Sequence, residues 1–176
     1  MRRWGPAAVS LAMSLLLVGC GSAAADQNSA LAATIVQALR AGGLPLDSVG
    51  WCAPGSPGAP ADPGAVVVAF HDRRLPGPQD PRRVTDGGVI EVLAGPPQAE
   101  ARRAQLAEQV LIAGEFGYDE GGQPLVDEHV VVTGRVVLRL AGILSEEQVA
   151  AYRTALAHPS HRDDEPGPWP TIRCLT

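Results

Sequence analysis

Four short runs of branched aliphatic residues decide what this chain can fold into: 65–71 (AVVVAFH), 89–94 (VIEVLA), 129–132 (HVVV) and 136–140 (VVLRL). Each is too short for an ordinary helix and is bounded by Gly or Pro, so each reads as a strand. Period-two alternation puts Val66, Val68 and Phe70 on one face of the first, and Glu91 marks a solvated face of the second. Thr133-Gly134 between the last two predicts a hairpin.

The segments between these runs carry helical spacing. Leu31, Ile35 and Leu39 recur every four residues and predict an amphipathic helix over 30–41, with Asn28 or Ser29 available to cap it and Gly42-Gly43 to stop it. Pro96-Pro97 opens a second helix that runs to about Ala113, with Ala104, Ala107, Val110 and Leu111 as its buried stripe and Arg102, Arg103 and Glu108 outside. Ser145-Glu146-Glu147-Gln148 is a capping box, which predicts a last helix over 146–157. From Leu44 to Gly64 the chain carries Pro45, Pro54, Pro57, Pro60 and Pro63 and reads as a loop or extended cover. The expected order is α-β-β-α-β-β-α, an α+β fold with an antiparallel sheet and helices on one face. With 176 residues in all, one domain with appendages is what the length allows.

Composition removes several functions. All 14 cations are Arg and the formal charge is −5, which argues against nucleic acid as a partner, because that needs a basic face. Without Lys a phosphate-binding P-loop fails, and neither GxGxxG nor GxSxG occurs. Ser56 lies in Gly55-Ser56-Pro57-Gly58, where no helix can follow to present it as a nucleophile. No catalytic residues, cofactor or metal site are therefore expected. The nearest approach to a metal site is His158, His161, Asp163, Asp164 and Glu165, but Pro159 breaks the helix that would align them and a solvated tail is the plainer reading. His71 reads as a hydrogen-bonded histidine at a strand end and not as a ligand, and His129 on the later strand as similarly ordinary. Arg73, Arg74, Arg82 and Arg83 crowd one loop and suit phospholipid headgroups or an acidic wall polymer; interleaved Asp72, Asp80 and Asp86 make an ordinary solvated surface the plainer reading.

The first 20 residues carry an address. Arg2 and Arg3 precede a largely apolar run of 12 residues, Ala7 to Val18, well short of the roughly 20 needed to cross a bilayer. Leu17-Val18-Gly19-Cys20 resembles the lipobox of bacterial lipoproteins, which implies a diacylglyceryl group on Cys20 and cleavage just before it; a conventional cleavage near Ala23-Ala24-Ala25 is the alternative. Loss of 1–19 leaves 157 residues and, with Arg2 and Arg3 gone, a charge of −7. An anionic leaflet repels that charge, so the lipid has to be what holds the chain to the membrane. Residues 21–29 are small and polar and read as a coil tether reaching roughly 16 Å.

With Cys20 assigned to lipid, Cys52 and Cys174 remain. Outside the cytoplasm such a pair is most simply a disulfide, the alternative being two free thiols. Trp51 and Trp169 neighbour the two cysteines and would pack together if the bond forms, as the staple's own small core or as a partner-binding spot.

Glu128 to Tyr152 (EHVVVTGRVVLRLAGILSEEQVAAY), together with Gly88-Val-Ile-Glu-Val-Leu93 and the Ala/Arg-rich segment after it, resembles a group of small actinobacterial envelope lipoproteins. The resemblance departs at the Pro-rich stretch 52–63 and at 117–127, and implies an envelope location without an activity. The expected organisation is a signal peptide (1–19), a lipidated tether (20–29), an α+β domain (30–157) and a Pro-rich tail (158–176) stapled by the disulfide. The expected function is that of a non-enzymatic, lipid-anchored binding module on the extracytoplasmic face of the cell membrane, its partner an envelope protein or wall polymer. The alternative is a metal-dependent accessory factor or enzyme using His158 and His161.

Overall fold

A computed structural model describes residues 20–76, 83–116, 128–157 and 169–174. In chain order these form α1 (Cys20–Ala41), β1 (Leu46–Cys52), β2 (Val66–Asp72), β3 (Gly87–Val92), α2 (Pro96–Phe116), β4 (Glu128–Thr133), β5 (Val136–Ala141), α3 (Glu146–Ala157) and β6 (Thr171–Ile172), with one 3-10 turn at Val84–Asp86. The class is α+β. The sheet runs β4-β5-β3-β2-β1-β6, and it is mixed: β6 lies parallel to β1, while the other neighbours are antiparallel.

Two strands escape sequence periodicity. β1 (LDSVGWC) lies inside the stretch read as loop, and it is irregular, with a register shift between Leu46 and Val49. β6 is two residues long and is held by backbone bonds from Trp51 N to Pro170 O and from Ala53 N to Ile172 O. The remaining strands fall within a residue or two of expectation. Thr133 pairs with Val136 across a two-residue turn, so the β4–β5 hairpin is present.

The helices cover both faces of the sheet, not one. On the first face α1 and α3 pack over Val68, Phe70, Ile90, Val92, Leu138 and Leu140. On the second, α2 sets Ala99 and Leu106 against Val137 and Leu93, while Val84 and Cys174 cover Val67, Ala69 and Val89. β2, β3 and β5 are therefore buried on both sides, as their near-continuous aliphatic content requires.

Helix ends show how local chemistry sets the boundaries. Ser145 N donates to Gln148 Oε1 and Gln148 N to Ser145 Oγ, the reciprocal capping box at the start of α3. α1 stops where Gly43 takes φ 80°; Gly43 N donates to Arg40 O and Leu44 N to Leu39 O, the paired bonds of a Schellman motif. The start of α1 differs from expectation: the helix begins at Cys20, so residues 20–29 are helix and not a coil tether. Neither Asn28 nor Ser29 is a cap. Asn28 Nδ2 donates to Gly64 O of the Pro-rich segment, and Ser29 Oγ to Ala25 O within the helix.

That Pro-rich segment is tied down along its length. Asp62 accepts from Gly64 N and Ala94 N, Ser56 Oγ donates to Ala53 O and accepts from Cys174 N, and Arg102 donates to Gly58 O. It forms an extended cover over one end of the sheet. At Gly88 a Cβ would stand 2.6 Å from the Phe70 ring and 2.7 Å from Arg139 O, so only glycine lets β2 and β5 flank β3 this closely.

Candidate functional site

The cysteines are the residues on which the functional reading turns. Cys52 ends β1, and Cys174 follows β6, which lies parallel beside it. The pairing brings their Cα atoms to 5.3 Å, and the two are bonded across a separation of 122 residues. The bond sits on the second face of the sheet, where Cys174 is buried against Val67, Ala69, Val84 and Val89. On the opposite face of β1, Trp51 and Trp169 meet with ring centroids 5.1 Å apart and pack onto the main core, as expected once the staple forms. The third cysteine, Cys20, is the first residue of α1. Asn28, one helical segment later, is already buried against the Pro-rich cover, while Ala23, Ala24, Asp26 and Gln27 are exposed. The first eight residues of α1 span about 12 Å of helix ahead of that contact.

An apolar cleft of about 430 Å³ opens on the first face, between the middle of α1, the last turn of α3 and the tip of the β4–β5 hairpin. Leu31, Ile35, Val136 and Leu156 form its walls, with Thr34, Thr133 and Arg135 at its polar margin. The Arg135 guanidinium, presented by the two-residue hairpin turn, has no ion-pair partner among the described residues. α1 supplies Leu31 and Ile35 because its four-residue stripe turns inward here. Leu156 ends the inward face of α3 behind Val149 and Tyr152.

Two buried charge clusters brace the scaffold. On the second face Glu91, fully buried, accepts from Arg102 Nε at 2.7 Å, Arg102 Nη2 at 2.9 Å and Arg139 Nη1 at 3.2 Å. Arg139 also donates to both oxygens of Glu128 at 2.8 Å, and Arg102 to Gln105. Two guanidiniums and two carboxylates balance, as buried charges must. Burial alone would disfavour the charged form of Arg139, but the bonds to Glu128 and the charges of Glu128 and Glu91 outweigh it and raise its pKa. Sequence periodicity places Glu91 on a solvated face and Arg102 outside α2. Both are wrong for one reason: each is the other's partner across the α2–sheet interface. The stripe of α2 is accordingly rotated, with Ala99, Arg102 and Leu106 inward and Ala104 and Ala107 exposed.

The second cluster joins α3 to β2. Asp72, fully buried, accepts from Tyr152 Oη at 2.7 Å and from the Arg74 side chain and backbone N–H. Burial would raise the Asp72 pKa, yet these bonds lower it overall; burial and the Asp72 charge push the Tyr152 phenol well above its ordinary value. Phe70 stacks on Tyr152 at 5.9 Å.

The other residues singled out by sequence are placed as follows. The Ser56 hydroxyl is buried and committed to Ala53 O and Cys174 N. His71 departs from expectation: it is 2 % exposed within β2, and neither ring nitrogen has a hydrogen-bond partner among the described residues. His129 contacts Leu144 O at 2.9 Å. Arg74 belongs to the Asp72 cluster, Arg73 lies 3.8 Å from Asp47, and Arg83 is exposed. His158, His161, Asp163, Asp164, Glu165, Arg82 and Asp80 lie outside the described residues. No three metal-ligating side chains gather among the described residues. No helix among them is long and apolar enough to cross a membrane.

No protein family matches this chain, and no curated protein and no solved structure matches it.

Proposed function

We propose that this chain is a lipid-anchored module of the cell envelope, held on the extracytoplasmic face of the membrane by Cys20 and acting by binding rather than by catalysis. The observation that carries the reading is the division of the three cysteines. The fold pairs Cys52 with Cys174, as suits an oxidising compartment, and leaves Cys20 as the one remaining cysteine, at the first residue of α1. That cysteine is also the residue the lipobox pattern singles out. Two acyl chains on it supply stable membrane residence to a mature chain whose charge opposes an anionic surface. Because α1 is continuous from Cys20 into the core, the anchor holds the domain through a helical stalk, and the end bearing Trp51, Trp169 and the β4–β5 turn faces the bilayer.

Expression in a lipoprotein-processing bacterium with an alkyne-tagged fatty acid tests the anchor. The native chain is expected in the membrane fraction, labelled and at mature size. Cys20→Ser is expected unlabelled, either released or retained as precursor. A Cys20→Ser chain found at mature size in the membrane fraction overturns the reading.

A further inference from the structure

We propose that the cleft between α1, α3 and the β4–β5 hairpin binds the single acyl chain of a free fatty acid, with the carboxylate paired to Arg135. The proposal deepens the binding-module reading by naming its ligand class. Four aliphatic side chains, Leu31, Ile35, Val136 and Leu156, wall a space of about 430 Å³. That lies at the lower end of the range for small-molecule sites, about 300–1,000 Å³. It suits one chain and excludes the two of a phospholipid.

Charge complementarity selects the head group. Arg135 is the one cation in the lining, and among the described residues it has no ion-pair partner, whereas buried Arg102 and Arg139 are both fully paired. A guanidinium at the margin of an apolar slot fits a carboxylate through two parallel N–H···O bonds. Thr133 and Thr34 are the other polar residues of the lining, the Thr34 hydroxyl donating to Ala30 O. The cleft opens beside the hairpin tip, at the end of the sheet where α1 begins, which on the anchored reading is the end nearest the bilayer.

The test uses the full chain carrying Cys20→Ser, so that it stands or falls independently of the anchor, and two probes of equal length and opposite charge: laurate and dodecyltrimethylammonium. Calorimetric titration below the micellar range is expected to give saturable one-to-one binding of laurate, at least tenfold tighter than the cation. Arg135→Glu is expected to weaken laurate about five- to tenfold and to reverse the preference. Thr34→Trp, which fills the slot from a half-exposed position, is expected to abolish binding of both while circular dichroism stays native; if that variant does not fold, Thr133→Trp replaces it. Absence of saturable binding, an unchanged preference in Arg135→Glu, or undiminished binding in the filled variant overturns the proposal. So does sedimentation as a dimer that Thr34→Trp dissociates, since the occupant is then a second copy of the chain.

Discussion

Replacing Glu91 by Gln keeps the shape of the side chain and removes the one charge that two buried guanidiniums share. The Gln amide would present donor hydrogens to Arg102 or Arg139, both within 5 % exposure of full burial. Breaking a buried pair from one side costs about 3–5 kcal/mol, because it strands a charge. Here the lower figure applies, since Arg139 keeps both oxygens of Glu128 and Arg102 keeps Gln105 and the Gly58 carbonyl. For a chain of this size each kcal/mol moves the melting temperature about 2–4 °C, so a loss of about 6–12 °C is expected in scanning calorimetry of the oxidised protein. The companion variant Glu91→Leu with Arg102→Met replaces the pair by packed apolar groups and is expected to recover most of that loss, as buried pairs commonly do when both partners go. A Glu91→Gln chain melting within 2 °C of the native one, or a double variant melting no higher than Glu91→Gln, refutes the account of α2 as a helix pinned by charge.

Three further outcomes follow from named contacts. Cys52→Ala opens a loop of 122 residues and is expected to lower stability by up to about 4–5 kcal/mol in denaturant titration, with reductant having the same effect on the native chain and none on the variant. Asp72 has its folded pKa depressed, so its contribution is complete above the unfolded value near 4 and is lost as pH falls below it; Asp72→Asn is expected to be less stable at neutral pH and to show a flatter decline between about pH 4 and 2 in acid unfolding. Tyr152→Phe leaves the Phe70 stack and removes one bond to Asp72; a loss of about 1.5–3 kcal/mol is expected by chemical denaturation, and a shallower acid limb accompanies it if the phenol helps hold Asp72 ionised.

Much of this fold is legible along the chain where the signal is local. β2, β3, β4, β5 and α3 announce themselves by aliphatic runs, a glycine turn and a capping box, each read within a window of a few residues. β1 and β6 do not. LDSVGWC has no clean alternation because Leu46 and Val49 sit either side of a register shift, and β6 exists because Cys174 is bonded to Cys52 and Pro170 and Ile172 supply the edge of β1. The early start of α1 is hidden for a related reason. Asn28 and Ser29 carry the chemistry of caps, yet Asn28 spends its amide on Gly64, 36 residues away, and the helix runs on through it.

The cysteine count and lipobox pattern, the absence of lysine and the four aliphatic runs are properties of the sequence by itself. They carry the proposed address, the argument against a P-loop and the signal for a sheet, because each depends on residue type at short range. Which face of the sheet is wet is a different kind of question. Glu91 in a strand and Arg102 in a helix each look like solvent-facing positions, and nothing nearby in the chain contradicts that. Only the pairing of β3 with β5 and the docking of α2 across them bring Glu91, Arg102 and Arg139 together and turn the second face of the sheet inward. Burying a charge is unfavourable for each residue alone and tolerable only for the set, and the set is assembled by tertiary structure.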